Sequence, residues 1–281
     1  PITEINLIGD GYLSFDGQDD YVDLGANLLS GDGDFSISLW VKSTSTNKVI
    51  MQQRNGGFNG EYQIKFDANG KINFWSYRDG YKWTATSSEA YNNNEWHHIV
   101  VVQDILINGG KLYIDGIESA SNSNGVVYLD GGIHTYLGAD MRDYVNYLDG
   151  SINDVNIFNS AIPASDIQIL FNSGFGFNTT YNHDGYNSSV HIIASYPIQA
   201  MSGNVLFDIT ENGFDGILDG PEWEGDLNVT PNWLDIQSES SWLESGEAEP
   251  IILKIDASEL IIDNDYQGKL IIPSNANSVP V

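Results

Sequence analysis

Cysteine is absent from the 281 residues. That excludes disulfide scaffolds, thiolate metal sites and cysteine nucleophiles, and it leaves the compartment open because a large β-sandwich needs no staples. Cations are scarce: 11 Lys and Arg stand against 39 Asp and Glu, a formal charge of −28. Such a chain repels polyanions, so nucleic acid is not expected among its partners. No apolar run approaches the ~18 residues of a membrane helix, and no charged-then-apolar signal segment follows Pro1. Membrane insertion is therefore not expected, and the chain reads as a mature or excised piece. Walker loop, GxGxxG fingerprint, Gly-x-Ser-x-Gly elbow and the Glu-x-Asp-x-x-Glu strand of paired-carboxylate glycosidases are all missing. The chain is read as non-catalytic.

What is abundant is turn punctuation. Gly, Asn and Asp recur between short segments of alternating character, as half-buried antiparallel strands require. Phe35, Ile37, Leu39 and Val41 share one face of a strand, with Ser36, Ser38, Trp40 and Lys42 on the other. Tyr62–Phe66, Ile72–Tyr77, His98–Val102 and Leu112–Asp115 repeat the pattern, and Asp115-Gly116 predicts a hairpin turn. A single short helix is expected over Pro163–Phe171, with Ser165-Asp166 capping its start, followed by a surface crossover at 173–189. The strand pattern restarts at Trp233, continues at 251–256 and ends with a strand at 266–272. At about 150 residues per domain the length suits one large sandwich and a smaller domain.

Tyr12–Asp23, Phe35–Lys42, Glu95–Val100, Leu112–Gly116 and Asp149–Asn159 resemble, in that order, successive motifs of laminin-G-like, concanavalin-A-like jellyroll domains. Asn153 stands where that family commonly has an aspartate. Residues 194–216 are similar to the segment that often opens such domains, displaced here beyond the helix. The tail after Trp233 resembles immunoglobulin-like modules of secreted bacterial multidomain proteins. The resemblance implies an all-β fold: a jellyroll sandwich over 1–226 and an incomplete Ig-like β-domain over 227–281; residues 190–226 either start a second copy or return to complete the first sandwich, and the short stretch before Tyr12 favours completion. It implies an extracellular, secreted or cell-surface setting, with further domains of the same polypeptide as partners.

The family also implies a structural calcium. Asp16 and Asp154 occupy the matching opening and closing motifs and Asp208 the displaced one, so these three are its expected ligands. The same aspartates, lying near glycine, also suit turn hydrogen bonds. Asp19, Asp20 and Asp23 form a second acidic cluster, of a kind more often solvated than metal-bound.

Sugar recognition needs aromatic faces beside hydrogen-bonding groups. Tyr77, Arg78, Asp79, Tyr81 and Trp83 supply both within one strand, turn and strand, and Tyr144 and Tyr147 make a second loop of that character. Such aromatics equally pack across a strand pair. Trp40 and Trp96, inside matched strands, are assigned to packing, and adjacent His97 and His98, pointing to opposite faces, are read as structural. Glu222 and Glu224 share a strand face but read as a linker. The expectation is a calcium-stabilised module that binds a glycan or cell-surface ligand. A structural stalk or accessory module, and more remotely a polysaccharide-degrading enzyme, are the alternatives.

Overall fold

In β6 (Lys71–Arg78), Ile72, Phe74 and Ser76 are buried while Lys71, Asn73, Trp75 and Tyr77 remain partly exposed, the period of two that a pleated strand imposes. This alternation repeats through a computed structural model that describes residues 11–26, 28–54, 59–175, 177–198, 203–210, 212–225, 234–237 and 252–255. Two antiparallel sheets result. Sheet I is ordered β10 (Ile117–Asn122), β9 (Gly109–Ile114), β8 (His97–Asp104), β3 (Phe35–Ser43), β12 (Asp149–Phe158), β1 (Tyr12–Asp16) and β16 (Glu222–Glu224), with β13 (Ile192–Tyr196) also on β12. Sheet II is ordered β14 (Val205–Leu206), β15 (Gly216–Asp219), β2 (Tyr21–Ala26), β11 (His134–Leu137), β4 (Val49–Gln53), β5 (Asn59–Phe66), β6 and β7 (Tyr81–Ala90). Their facing apolar residues, among them Leu13, Val22, Ile37, Ile64, Phe74, Ile99 and Ile152, form one buried cluster, the layered arrangement of a sandwich.

β12 carries the centre of sheet I. One of its edges pairs with β3, while the other takes β1 along its first half and β13 along its second. Its register against β3 slips between Asn153 and Asn156, and Asp154 there adopts φ 44°, a β-bulge. Asn153 fixes the bulge by accepting the Asp154 N–H at 2.7 Å and donating to Gly11 O at 2.6 Å. Residues 192–224 supply strands to both sheets. The expected linker at 222–226 is instead a strand over Glu222–Glu224, paired with β1.

Helix α1 (Ala164–Ser173) starts after Pro163 with no side-chain cap. Asp166, expected to help cap it, accepts from Asn187 N–H at 2.9 Å and Ser188 Oγ at 2.6 Å instead. It thereby ties down the following segment. Ile167 and Leu170 of the helix join Phe177 and Tyr186 against Val100, Val102, Tyr113 and Phe158 on the outer face of sheet I. The stretch expected to be a surface crossover is thus partly core. Its buried Thr179 donates to Asn156 Oδ1 at 2.8 Å. This cover buries the second face of β3, where Trp40 stacks on Phe171 with centroids 5.8 Å apart. The Asp115-Gly116 turn has φ values of 51° and 75°, both left-handed, as the tight type I′ hairpin requires.

The chain divides into two compact units, Asp10–Leu227 and a second formed by 1–9 and 228–281. In the second, β17 (Leu234–Gln237) pairs antiparallel with β18 (Ile252–Ile255). The rest of the expected Ig-like module, including the strand at 266–272, lies outside the described residues. Among the described residues no helix is long and apolar enough to cross a membrane.

Beneath α1, His98 is buried against Trp40 and Phe171, with Nε2 2.8 Å from Ser38 Oγ. Burial lowers its imidazole from 6.5 to about 4. A depressed folded value means that the unfolded chain takes up the proton first as pH falls. Stability from this residue is complete above about pH 6.5 and is lost as pH drops through about 4. Urea unfolding at about pH 7 and about pH 4.5 should therefore show a decline of which roughly 2–3 kcal/mol disappears in His98→Gln. An equal decline in both proteins would show that His98 does not set it.

Candidate functional site

The side chains that β2, β11, β4, β5 and β6 turn away from the core meet in one cross-strand row. Register places Ile217, Asp23, Tyr136, Gln52, Gln63, Trp75 and Thr84 side by side across sheet II. Cross-strand neighbours stand within contact distance, and the row is wired accordingly. Trp75 Nε1 donates to Gln63 Oε1 at 3.2 Å, and Gln63 Nε2 donates to Gln52 Oε1 at 3.1 Å and Asp140 Oδ2 at 3.4 Å. Arg54, at the end of β4, donates from Nη1 to the same Asp140 oxygen at 2.6 Å and places Nε 3.7 Å from Glu61 Oε2. Its guanidinium lies 5.2 Å from the Trp75 ring centroid, a cation–π distance. Gln52, Glu61, Gln63 and Asp140 are all buried. Polar groups at that depth are fixed by their partners.

Aromatic groups flank this strip on both sides. On the β6–β7 side Tyr81 meets Tyr77 and Trp75 edge to face, with centroids 5.2 and 5.9 Å apart. On the β2–β11 side Tyr136 packs against Tyr21 at 6.1 Å and His134 at 6.0 Å, and His134 Nδ1 lies 2.9 Å from the Asp23 carboxylate. The Tyr136 hydroxyl is pushed above its ordinary pKa by burial first, then by Asp23 and Tyr144, which places the 140–147 loop beside it. Tyr147 is raised likewise, by burial and then by Asp19 and Tyr144. Backbone bonds between Asp140 and Val145, 3.0 and 3.3 Å, close that loop. From Tyr136 to Trp75 the row crosses three strand steps, about 14 Å.

Of the residues singled out in the sequence, Tyr77, Tyr81 and Tyr144 stand at this face, and Tyr81 and Tyr144 are each 66% exposed. Asp79 is exposed in the β6–β7 turn, with φ 52°. Trp83 corrects the expectation. It is 0% exposed, stacks on Phe74 at 4.1 Å and donates to Gln103 Oε1 at 3.1 Å, so it is core and cannot touch a ligand. Arg78 points away from Tyr77's face, donates to Tyr128 O at 3.2 Å and covers the Tyr128 ring at 4.4 Å. The sequence reading missed Gln52, Arg54, Glu61, Gln63, Tyr136 and Asp140. Arg54 and Asp140 lie 86 residues apart, and only strand register joins them.

The expected calcium set is not assembled. Asp16 pairs with Asp149, and Asp154 lies farther along β12 by about 17 Å at ~3.4 Å per residue. Asp154 is buried beneath α1 beside Ser38, Trp40 and His98. Asp208 spends its oxygens on the amides of Ser195, Thr210 and Phe214 and on the Thr210 hydroxyl, the turn role open to aspartate. A different acidic group does converge: Asp16, Asp19 and Asp20 place one carboxylate oxygen each within 4.8 Å of one another. Asp20 accepts the Asp16 N–H at 2.7 Å, and its carboxyl is held above the ordinary range chiefly by burial, with Asp16, Asp19 and Glu222 adding repulsion.

Among solved structures, a Bacteroides ovatus protein provisionally described as carbohydrate-binding has a TM-score of 0.58 and 14% identity, over 78% of this chain and 60% of its own. Domain 4 of AbnA, an extracellular arabinanase of Geobacillus stearothermophilus solved with arabinotriose, has a TM-score of 0.44 and 23% identity, over 55% of this chain and 73% of that one. The CBM40 of Ruminococcus gnavus IT-sialidase has 0.48 and 13%, over 59% of this chain and all of that one. No curated protein matches the chain. Residues 16–168 match the Laminin_G_3 model, described as the Concanavalin A-like lectin/glucanases superfamily. More than half of the chain falls within that model, and the protein belongs to this family.

Proposed function

We propose that this chain is a non-catalytic extracellular module that binds a glycan across the outer face of sheet II and is stabilised by calcium. The observation that carries the reading is the set of exposed and half-buried rings of Trp75, Tyr77, Tyr81, Tyr136 and Tyr144, held in place by a buried strip of Gln52, Gln63 and Asp140 and edged by the half-buried polar groups of Asp23, Asn73 and Thr84. Sugar rings present apolar faces that stack on aromatics and hydroxyls that demand paired donors and acceptors. The Bacteroides ovatus protein that shares the fold is itself provisionally described as carbohydrate-binding. Binding is favoured over hydrolysis because Glu61 and Asp140, the carboxylates at the centre of the face, are buried against Arg54. Glycoside hydrolysis needs two carboxyl groups flanking the scissile bond.

Titration calorimetry against glycans selected on an array tests the site. Tyr81→Ala should weaken binding by roughly 2- to 12-fold, the worth of one aromatic contact, and leave the unfolding midpoint unchanged. Trp83→Ala should instead lose about 3–5 kcal/mol of stability. Folded protein that is silent across the array would turn the reading toward a stalk or accessory role.

The calcium part of the proposal belongs to the β1–β2 turn. Asp16, Asp19 and Asp20 supply carboxylate oxygens there, the donors a hard cation selects. A bound ion would hold these carboxylates together and relieve the repulsion felt by Asp20. Calcium at about 10 mM should raise the melting temperature by roughly 5 °C. Asp19→Asn should remove that rise and leave the metal-free melting temperature in place. A melting temperature indifferent to calcium and chelator would strike the ion from the proposal without touching sheet II.

A further inference from the structure

We infer that the saccharide taken by the outer face of sheet II is uncharged, an inference that rests on the glycan-binding reading above. A sugar carboxylate or sulfate is recognised best by a free guanidinium fork, two parallel N–H donors aimed at two oxygens. The chain has only Arg54, Arg78 and Arg142 to offer, and each already has a partner. Arg54 donates to Asp140 at 2.6 Å, has Glu61 at 3.7 Å and rests on Trp75. Arg142 donates from both Nε and Nη2 to Asp143. Arg78 is turned away onto Tyr128.

Lys65, Lys71 and Lys82 complete the cations that the strand pattern turns to this face. Together with Arg54 and Arg142 they are matched by the carboxylates of Asp23, Glu61, Asp140, Asp143 and Asp219 among the described residues. The face therefore carries no net positive charge, inside a chain of formal charge −28 whose field opposes the approach of any anion. What it presents is aromatic surface edged by the acceptors of Asp23, Asn73, Thr84 and Asp143, which are exposed or half-buried. Hydroxyl groups satisfy such acceptors, whereas a second carboxylate is repelled by them.

The test compares matched pairs on the full chain, a neutral oligosaccharide against the same backbone bearing a uronate or a terminal sialic acid, by titration at about 20 and about 300 mM NaCl. The neutral member of a pair should bind at least 10-fold more tightly, with affinity changing less than about 2-fold between the two salts. Asp140→Asn, which removes the charge that occupies Arg54, should narrow the preference by about 10-fold by freeing the guanidinium for an anionic sugar. Tighter binding of the acidic member, weakening steeply with salt, would overturn the inference and leave the glycan-binding reading standing. Failure of both members of every pair would instead remove the reading on which the inference rests. Should Asp140→Asn fail to fold, the wild-type pairs and their salt dependence decide alone.

Discussion

Register in sheet II is the constraint on which the candidate site depends. A strand that slips by one residue turns every side chain to the opposite face. Val22, Leu24, Met51, Ile64, Ile72 and Phe74 must face the core, and that requirement alone forces Asp23, Gln52, Gln63, Asn73 and Trp75 outward. The candidate row is thus the complement of the core. The apolar burial that stabilises the sandwich, at roughly 25 cal/mol per Å², also positions groups that contribute little to that burial themselves. Any substitution that loosens the core of sheet II would misalign the row before it unfolded the protein.

The polar strip itself is costly to keep. A buried ion pair such as Arg54–Asp140 loses hydration on both sides, and replacing such a pair with apolar residues is often neutral or stabilising. Its presence on the outward face is better explained by what it holds in place. Asp140 receives Arg54 and Gln63 through side chains and closes the 140–145 loop through its backbone. One carboxylate thereby fixes strand β4, strand β5 and the loop that carries Tyr144. Groups fixed before the ligand arrives cost less ordering entropy on binding.

Much of the fold was legible in local pattern. The alternation over Phe35–Val41, the Asp115-Gly116 turn and the apolar spacing around Ile167 and Leu170 depend on neighbours in sequence, and the structure shows each in place. The face was legible only in part. Tyr77 and Tyr81 flank one turn, and Tyr81 and Trp83, two residues apart, would share a face of a regular strand. A bulge breaks that rule: Tyr77 opposes Tyr81 while Trp75 opposes Thr84, so β7 carries one residue more than β6 in between. The extra residue flips the alternation, keeping Tyr81 outward and sending Trp83 into the core beside Phe74. Asp208 misled for a different reason. An aspartate that completes a metal shell and one that caps a turn look alike in sequence, and here four donors from nearby residues claim it.

Scarcity of arginine limits the ligands that this face could recognise. An acidic protein keeps solubility through its surface charge, but it then has few cations with which to recognise anything anionic. Placing Arg54 and Arg142 at the outer face of sheet II, and then giving each a carboxylate of its own, uses them as fixed hydrogen-bond frameworks rather than as charges. Arg54 in that state still covers one side of Trp75 and still orients Asp140, and neither task needs a free positive field. A glycan bound on this face would consequently be selected through shape and hydrogen-bond geometry. That is the form of recognition open to a ligand made of rings and hydroxyls, and it follows from the pairing of three side chains in the whole sequence.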